Sequence, residues 1–263
     1  MHRNKSSFDA VYRIFQVSWL RALMGLKAES RGTRLGYLWW IIEPAMHLAV
    51  YYLAFGVLLK HGGDDYVAFL LVGIVHWLWF SKSIMNASQS ILVGRGLILQ
   101  LPLHTGIFPL AEIFRDLMKQ VIVVVILLLI LSVMGYLPSA YWTIYPFIFL
   151  LQILLTLPCA GLVAALMPFI PDLRVIVPAC LQLAMFLSGV FFSGDLVPES
   201  FHWLLSLNPA YLLLEAYRDI LIRQQQPDWH MLATLLVALL FFNIVVIALF
   251  GRFNRQYARI IQE

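Results

Sequence analysis

Long apolar runs, interrupted by short polar breaks, set the pattern of the chain. Six are long enough to cross a bilayer, at 35–59, 66–87, 107–135, 141–170, 175–192 and 229–250. A spanning helix needs about 20 residues, and the third and fourth runs exceed this, which leaves room for tilt or for extension beyond the bilayer. An isolated strand would leave its backbone groups unpaired in lipid. The alternating ten-residue pattern of a transmembrane barrel is missing. The runs therefore predict an all-α membrane protein with six transmembrane helices.

Two stretches outside the runs carry a different pattern. Before the first run, Phe8, Tyr12, Phe15, Trp19, Leu23 and Met24 recur at helical spacing, with Asp9, Arg13 and Gln16 elsewhere on the wheel. This predicts an N-terminal amphipathic interface helix. A plain juxtamembrane anchor would show the same pattern. Between the fifth and sixth runs, residues 193–228 are moderately apolar and broken by Pro198, Pro209 and Pro227. Asn208-Pro209 reads as a helix start, with Asn capping free amides and Pro at the first helical position. The helix that follows is about 15 residues long and carries Glu215, Arg218 and Asp219 at spacings that allow pairing. It is too short and too charged to cross, which predicts external re-entrant helices that dip into or lie on the outer leaflet.

Composition closes off the other classes. The 263 residues are 62% hydrophobic and 12% charged, against roughly 25% charged in a soluble domain. Disorder fails for the same reason. The two cysteines, Cys159 and Cys180, sit inside apolar runs and give no disulfide scaffold. The modest net charge of +4 matters through its distribution. Lys and Arg crowd before the first run, after the last, and in the loops after the second and fourth, so both termini are expected on the cytoplasmic side. The N-terminus lacks the apolar core and cleavage site of a signal peptide. The layout is one domain over 1–263: 1–34 as the cytoplasmic interface helix, 35–192 as spans one to five, 193–228 as the external segment, 229–251 as span six, and 252–263 as a cytoplasmic tail.

The chemistry a catalytic chain would need is missing. The sequence has no Gly-x-x-x-x-Gly-Lys-Ser/Thr loop for nucleotide phosphates, no His-Glu-x-x-His or Cys/His cluster for zinc, and no Gly-x-Ser-x-Gly elbow. No nucleic-acid signal stands apart from the topology charges. The expectation is a non-enzymatic chain with no catalytic residue, metal or cofactor of its own.

Polar residues inside the runs are informative, because a carboxylate at the bilayer centre costs about 2.5–3.5 kcal/mol on insertion scales and usually faces protein or water. Trp40, Glu43, His47 and Tyr51 share one stripe of the first span. The stripe suits a wet interior or partner surface, and equally a Glu43–His47 pair flanked by interfacial aromatics. Trp39, Trp40, Trp77 and Trp79 map near the cytoplasmic boundary, and Tyr141, Trp142, Tyr145 and Trp203 near the outer one, as aromatic belts would. Ala160, Gly161, Ala164 and Ala165 form a small-residue face that permits close helix packing. The cytoplasmic loop at 81–105 is long for a connector. Its first half is helix-compatible, Gly94 and Gly96 interrupt it, and Leu92, Leu97, Ile98 and Leu99 would be apolar near water. A protein partner or the membrane surface would cover them.

Four blocks together resemble the permease subunit of ABC-2 type exporters of lipid-linked polysaccharide, the family serving capsule, O-antigen and teichoic acid export. They are the stretch from Arg34 through Glu43-Pro44 to His47; Asn86 to Ile91 with Pro102 and Pro109-Leu110; Pro171-Asp172-Leu173-Arg174 through Gln182; and Leu207-Asn208-Pro209 followed by Arg218. Their order and spacing cover nearly the whole chain. Pro171 departs from the O-antigen pattern, where an aromatic or basic residue tends to precede Asp-Leu, and the choice between capsule and O-antigen stays open.

The resemblance implies a homodimer in the bacterial cytoplasmic (inner) membrane, bound to two separate ATPase subunits that hold ATP and Mg. It implies a coupling helix at 87–99, with Ala87, Ser90, Leu92, Arg95, Leu97, Ile98 and Leu99 as candidate contacts to the ATPase. Spans one and five of both copies would line the path, with Trp40, Glu43, His47 and Tyr51, then Tyr52 and Phe191, as candidate sugar contacts. The helices near 198–222 would form an external gate, with Pro198, Asn208, Pro209, Glu215 and Arg218 as its candidate residues. Two other classes compete. A stand-alone secondary transporter should show paired Gly/Pro breaks in two halves, which are not found. A membrane-embedded glycolipid enzyme would need convergent acid, base or metal groups, for which only Glu43 and His47 offer themselves.

Overall fold

The computed structural model describes residues 7–32, 34–58, 65–101 and 103–260. Helix is the only regular secondary structure among them. In chain order the α-helices are α1 (Ser7–Arg31), α2 (Trp39–Tyr51), α3 (Tyr66–Val93), α4 (Arg95–Gln100), α5 (Ile107–Val133), α6 (Tyr145–Leu166), α7 (Leu173–Leu187), α8 (His202–Ser206), α9 (Pro209–Arg218) and α10 (Trp229–Ile260). Tyr52–Leu58 extends α2, and Asp219–Arg223 extends α9, each as a wider π-helical turn. Phe8 and Asp9 lie on α1, but their side chains, like Pro102, lie outside the described residues.

Among the described residues, five helical segments are long and apolar enough to cross a membrane: Gly36–Leu58, Tyr66–Gln100, Ile107–Val133, Ala140–Leu166 and Trp229–Arg252. The fifth predicted run is the exception. At 1.5 Å per residue the 15 residues of α7 reach about 22 Å, short of the ~30 Å hydrocarbon core. The helix stops at Leu187 rather than 192 because Gly189 turns with φ +67, in the left-handed region. The carbonyls of Gly189 and Val190 then bond to Arg218 instead of to a further helical turn.

Two other boundaries also move. α3 runs unbroken to Val93, so the first half of the predicted 81–105 loop is a continuation of this helix. This places Trp77 and Trp79 in the middle of the helix, both buried at 3–4% exposure; they belong to the core and not to an aromatic belt. α10 runs ten residues past 250.

α3 is the central element, with α2, α5, α6, α7 and α9 packed around it. Its residues supply members of all four packed apolar clusters. Lipid is as apolar as leucine, so close packing and buried polar bonds hold such a bundle together. The small face of α6 does what its sequence predicts. Ala160, Gly161, Ala164 and Ala165 are all buried, and a side chain on Gly161 would press on Val246 and Phe250 of α10. Asn243 of α10 donates to Leu154 O at 2.8 Å, and Tyr257 to Ala165 O at 3.1 Å.

A polar knot ties α3, α6 and α9. His76 Nδ1 lies 2.7 Å from Val72 O and therefore carries the proton. Its Nε2 accepts from Tyr145 Oη at 2.9 Å. Tyr217 stacks on the imidazole at 3.8 Å and donates to Gln152 Oε1, whose amide returns to His76 O. Each of these buried groups is satisfied, which makes the knot a structural lock.

Candidate translocation path and coupling surface

α2 is loosely held. None of its residues is buried. The predicted stripe on it divides in two. At one end, Trp40 meets the ring of Tyr37 edge-on, and Glu43 forms an ion pair with Lys82 of α3. At the other, Tyr51 packs against Phe191, 4.7 Å between centroids, and His47 lies beside Tyr51 at 6.0 Å. The His47 imidazole bonds to the backbone carbonyl of Glu43 at 2.9 Å. The expected side-chain pair between Glu43 and His47 does not form, because the carboxylate is taken by Lys82. Tyr52 points outward, 41% exposed. Phe191 is instead 5% exposed, at the centre of a ring cluster with Tyr51, Phe55 and Phe186. It joins the end of α2 to the end of α7.

α7 buries only Val177 and Met185. Val175, Ile176, Leu183, Phe186 and Leu187 are exposed on it, as are Met46, Val50 and Leu53 on α2 and its extension. Both helices that the resemblance assigns to the path thus present broad uncovered apolar faces.

A cavity of about 280 Å³ lies beside the Glu43–Lys82 pair, bounded by the end of α1, the start of α2, and α3 and α5. Asp116 accepts from Asn86 at 2.8 Å and pairs with Lys119 at 3.2 Å; Lys119 also reaches Glu29 at 2.7 Å. Sequence reasoning missed this group. Its trace is there in Asp116, Lys119 and Gln120, spaced three and four apart where an apolar run begins, a spacing that puts them on one face of α5. The α1 stripe is also partly engaged. Phe15 and Trp19 touch Phe114 of α5 while remaining about half exposed, and Ser18 and Ala22 make the buried contact.

At the same end of the bundle, Gly94 breaks the chain between α3 and the six-residue α4. The ring of Phe108 lies where a side chain on Gly94 would project. Ile98 is 8% exposed and clusters with Ile91, Phe108, Val246 and Phe250. This anchors α4 while Arg95, Leu97 and Leu99 stay exposed, with Val93 and Leu101 beside them. Ala87 and Ser90 are buried in α3 and Leu92 is half-buried. Of the predicted coupling residues, the free surface is therefore Arg95, Leu97 and Leu99.

At the opposite end, Asn208 caps α9 as its sequence predicts, accepting from the amides of Ala210 and Tyr211 at 3.0 and 3.3 Å. Pro198 precedes a short helical turn at Glu199–Phe201, and Pro209 opens α9. Glu215 bonds Arg218 and Arg223, each at 2.8 Å. Arg218 is wholly buried. Its guanidinium lies 3.4 Å over the Phe69 ring and donates to Gly189 O at 2.8 Å and Val190 O at 3.1 Å. Burial pulls its pKa down and the Glu215 carboxylate opposes that. Arg218 is the pin that joins α9, the α7 turn and α3.

The geometry is that of a transmembrane bundle with two uncovered helical faces and a small, anchored surface helix at one end. The profile of the ABC-2 type transporter family matches residues 16–222. The chain is similar to the O-antigen export system permease protein RfbA of Klebsiella pneumoniae, 23% identical over 237 residues, which are 90% of this chain and 91% of that one. It is also similar to RfbA of Myxococcus xanthus, 28% identical over 77% of this chain and 79% of that one. A third relative is the polysialic acid transport protein KpsM of Escherichia coli, 25% identical over 71% of this chain and 73% of that one. With most of its length matched by the family profile, the chain belongs to the ABC-2 type transporter membrane family.

Proposed function

We propose that this chain is the permease subunit of an ATP-driven exporter of lipid-linked polysaccharide in the bacterial cytoplasmic membrane, and that it works as a homodimer with two separate ATPase subunits. The observation that carries the reading is the set of relatives named for O-antigen export and polysialic acid transport, which align over most of the chain. The sequence also lacks a phosphate-binding loop, as a permease driven by another subunit would.

The uncovered faces of α2 and α7 support a path at the dimer axis. In this reading α7 is the fifth of six crossings, and the turn at 188–201 completes its traverse. Both termini are then cytoplasmic, α1 lies at the interface, and α8 and α9 form the external re-entrant segment. A glycan is too polar to cross lipid unaided. Its hydroxyls need bonding partners and its apolar ring faces need aromatic surfaces, each held weakly so that the chain keeps moving. His47, Tyr51 and Tyr52 supply such groups on α2.

ATP binding draws the two ATPases together, α4 moves with the groove that holds Arg95, Leu97 and Leu99, and Ile98 passes the motion to α10 and α5. The test is co-expression with its ATPase. Co-purification, and ATP hydrolysis stimulated by lipid-linked glycan, are the expected results. Glycan movement by the lone chain without nucleotide would contradict the proposal.

A further inference from the structure

The α1–α2–α3–α5 cavity is unexplained by a path on the outer faces of α2 and α7, since it lies within one protomer. We infer that it is a sugar subsite that holds one neutral, hydroxylated ring of the glycolipid; this rests on the exporter reading and names where that substrate first docks.

Three observations select the occupant. The first is size. About 280 Å³ is just below the range of roughly 300–1,000 Å³ typical of ligand pockets, which suits one ring and not an oligosaccharide. The second is the supply of donors. Trp79 and Gln120 both line the cavity and are 4% exposed; the indole N–H of Trp79 and the amide Nε2 of Gln120 have no hydrogen-bond partner among the described residues, and a ring reaches them once their side chains turn toward the cavity. Unpaired buried donors are costly, and hydroxyl oxygens are the acceptors that would relieve them. The Trp39 indole stands at the rim, 41% exposed, as a stacking surface for the C–H face of a ring.

The third is charge. Glu29, Glu43 and Asp116 outnumber Lys82 and Lys119 in the lining, and both lysines are already paired. A phosphate would meet surplus negative charge with no free cation among the described lining residues, so the site fits a sugar and rejects the carrier's phosphates. The Glu43–Lys82 pair sits in its wall, so a ring bound there touches the contact that ties α2 to α3.

The test uses the full-length chain in nanodiscs and saturation-transfer NMR. The probes are butyl β-D-glucoside, butyl N-acetyl-β-D-glucosaminide and butyl phosphate, which share one tail. Saturable binding of at least one glycoside through its ring protons is expected, with none for butyl phosphate. W79F and Q120L should each weaken that binding about fivefold or more, the factor that one lost net hydrogen bond gives. W39A alters only the rim, leaves the core intact, and should weaken it similarly. Tighter binding of butyl phosphate, no saturable glycoside binding, or wild-type glycoside affinity in all three variants would overturn the inference. ATP-dependent export is scored separately on the complex, so a chain that exports but binds no glycoside here refutes only the subsite. A chain that fails to export with its ATPase refutes the exporter reading.

Discussion

Replacing Arg218 by Met tests how the external segment is attached. The guanidinium makes three carbonyl bonds, to Gly189, Val190 and, at 3.5 Å, Phe69, an ion pair with Glu215 and a stack on the Phe69 ring. Hydrogen bonds from a charged group are each worth about 1.5–3 kcal/mol, and a desolvated cation–π contact about 2 kcal/mol. Removing the charge also removes its desolvation cost, which is several kcal/mol. Glu215 keeps Arg223 as partner at 2.8 Å, so no lone carboxylate is left behind. The carbonyls of Gly189 and Val190 are the groups that lose a partner.

The net loss should be about 2–6 kcal/mol, since the two buried carbonyls left unpaired cost about 1–3 kcal/mol each. For a chain near this size that lowers the thermal midpoint by roughly 4–24 °C. The assay is thiol-dye labelling during a thermal ramp of the purified protein in a C180S background. Cys180 is exposed and would react at once, whereas half-buried Cys159 on α6 becomes reactive only as the bundle opens. R218K, which keeps the charge but loses the fork, should fall between wild type and R218M. A midpoint for R218M within about 2 °C of wild type, less than 1 kcal/mol converts to, would refute the pin. So would an R218K indistinguishable from wild type.

Gly94→Ala should drive a methyl group into the Phe108 ring and destabilise by about 1–3 kcal/mol, whereas Gly96→Ala, which meets nothing within 4 Å, should leave the midpoint unchanged. Asn208→Ala removes the α9 cap, worth about 0.5–2 kcal/mol, together with amide bonds to Ser188 and Leu187; Asn208→Asp should restore only the cap, read as a partial recovery of the thermal midpoint. Replacing Arg95 and Leu97 together by Ala should uncouple ATP hydrolysis from export while the thermal midpoint holds, since both side chains are exposed; normal export by the double variant would reject the coupling assignment. Burial lowers the pKa of His104 below its ordinary 6.5, and its ring accepts the Gly106 amide at 3.2 Å. The folded state therefore prefers neutral His104, and that stability is present above pH 6.5 and lost as pH falls toward the folded value. A scan from about pH 7.5 to about pH 5.5 should show a falling midpoint that His104→Asn flattens.

The helical class and five of the crossings were legible because lipid demands long apolar helices and little else resembles them. The Asn208 cap and the small face of α6 were legible because each depends on neighbours close in sequence. What was hidden depended on distant contacts. The early end of α7 follows from a guanidinium about 30 residues away in sequence taking the carbonyls of Gly189 and Val190. Phe191 is a candidate sugar contact by sequence, and only the fold shows the three aromatic neighbours packed around it. Glu43 and His47 look like a pair by spacing alone, and only the fold brings Lys82 to the carboxylate. The cavity needs residues from four helices, and no local pattern announces such a meeting.

Transport itself tests the central claim most directly. The chain, purified and placed in proteoliposomes with and without its ATPase subunit, is given lipid-linked glycan on the ATPase side, and glycan reaching the far side is counted over time. The account predicts accumulation only when the ATPase and hydrolysable ATP are both present. Equal accumulation by the chain alone would contradict it.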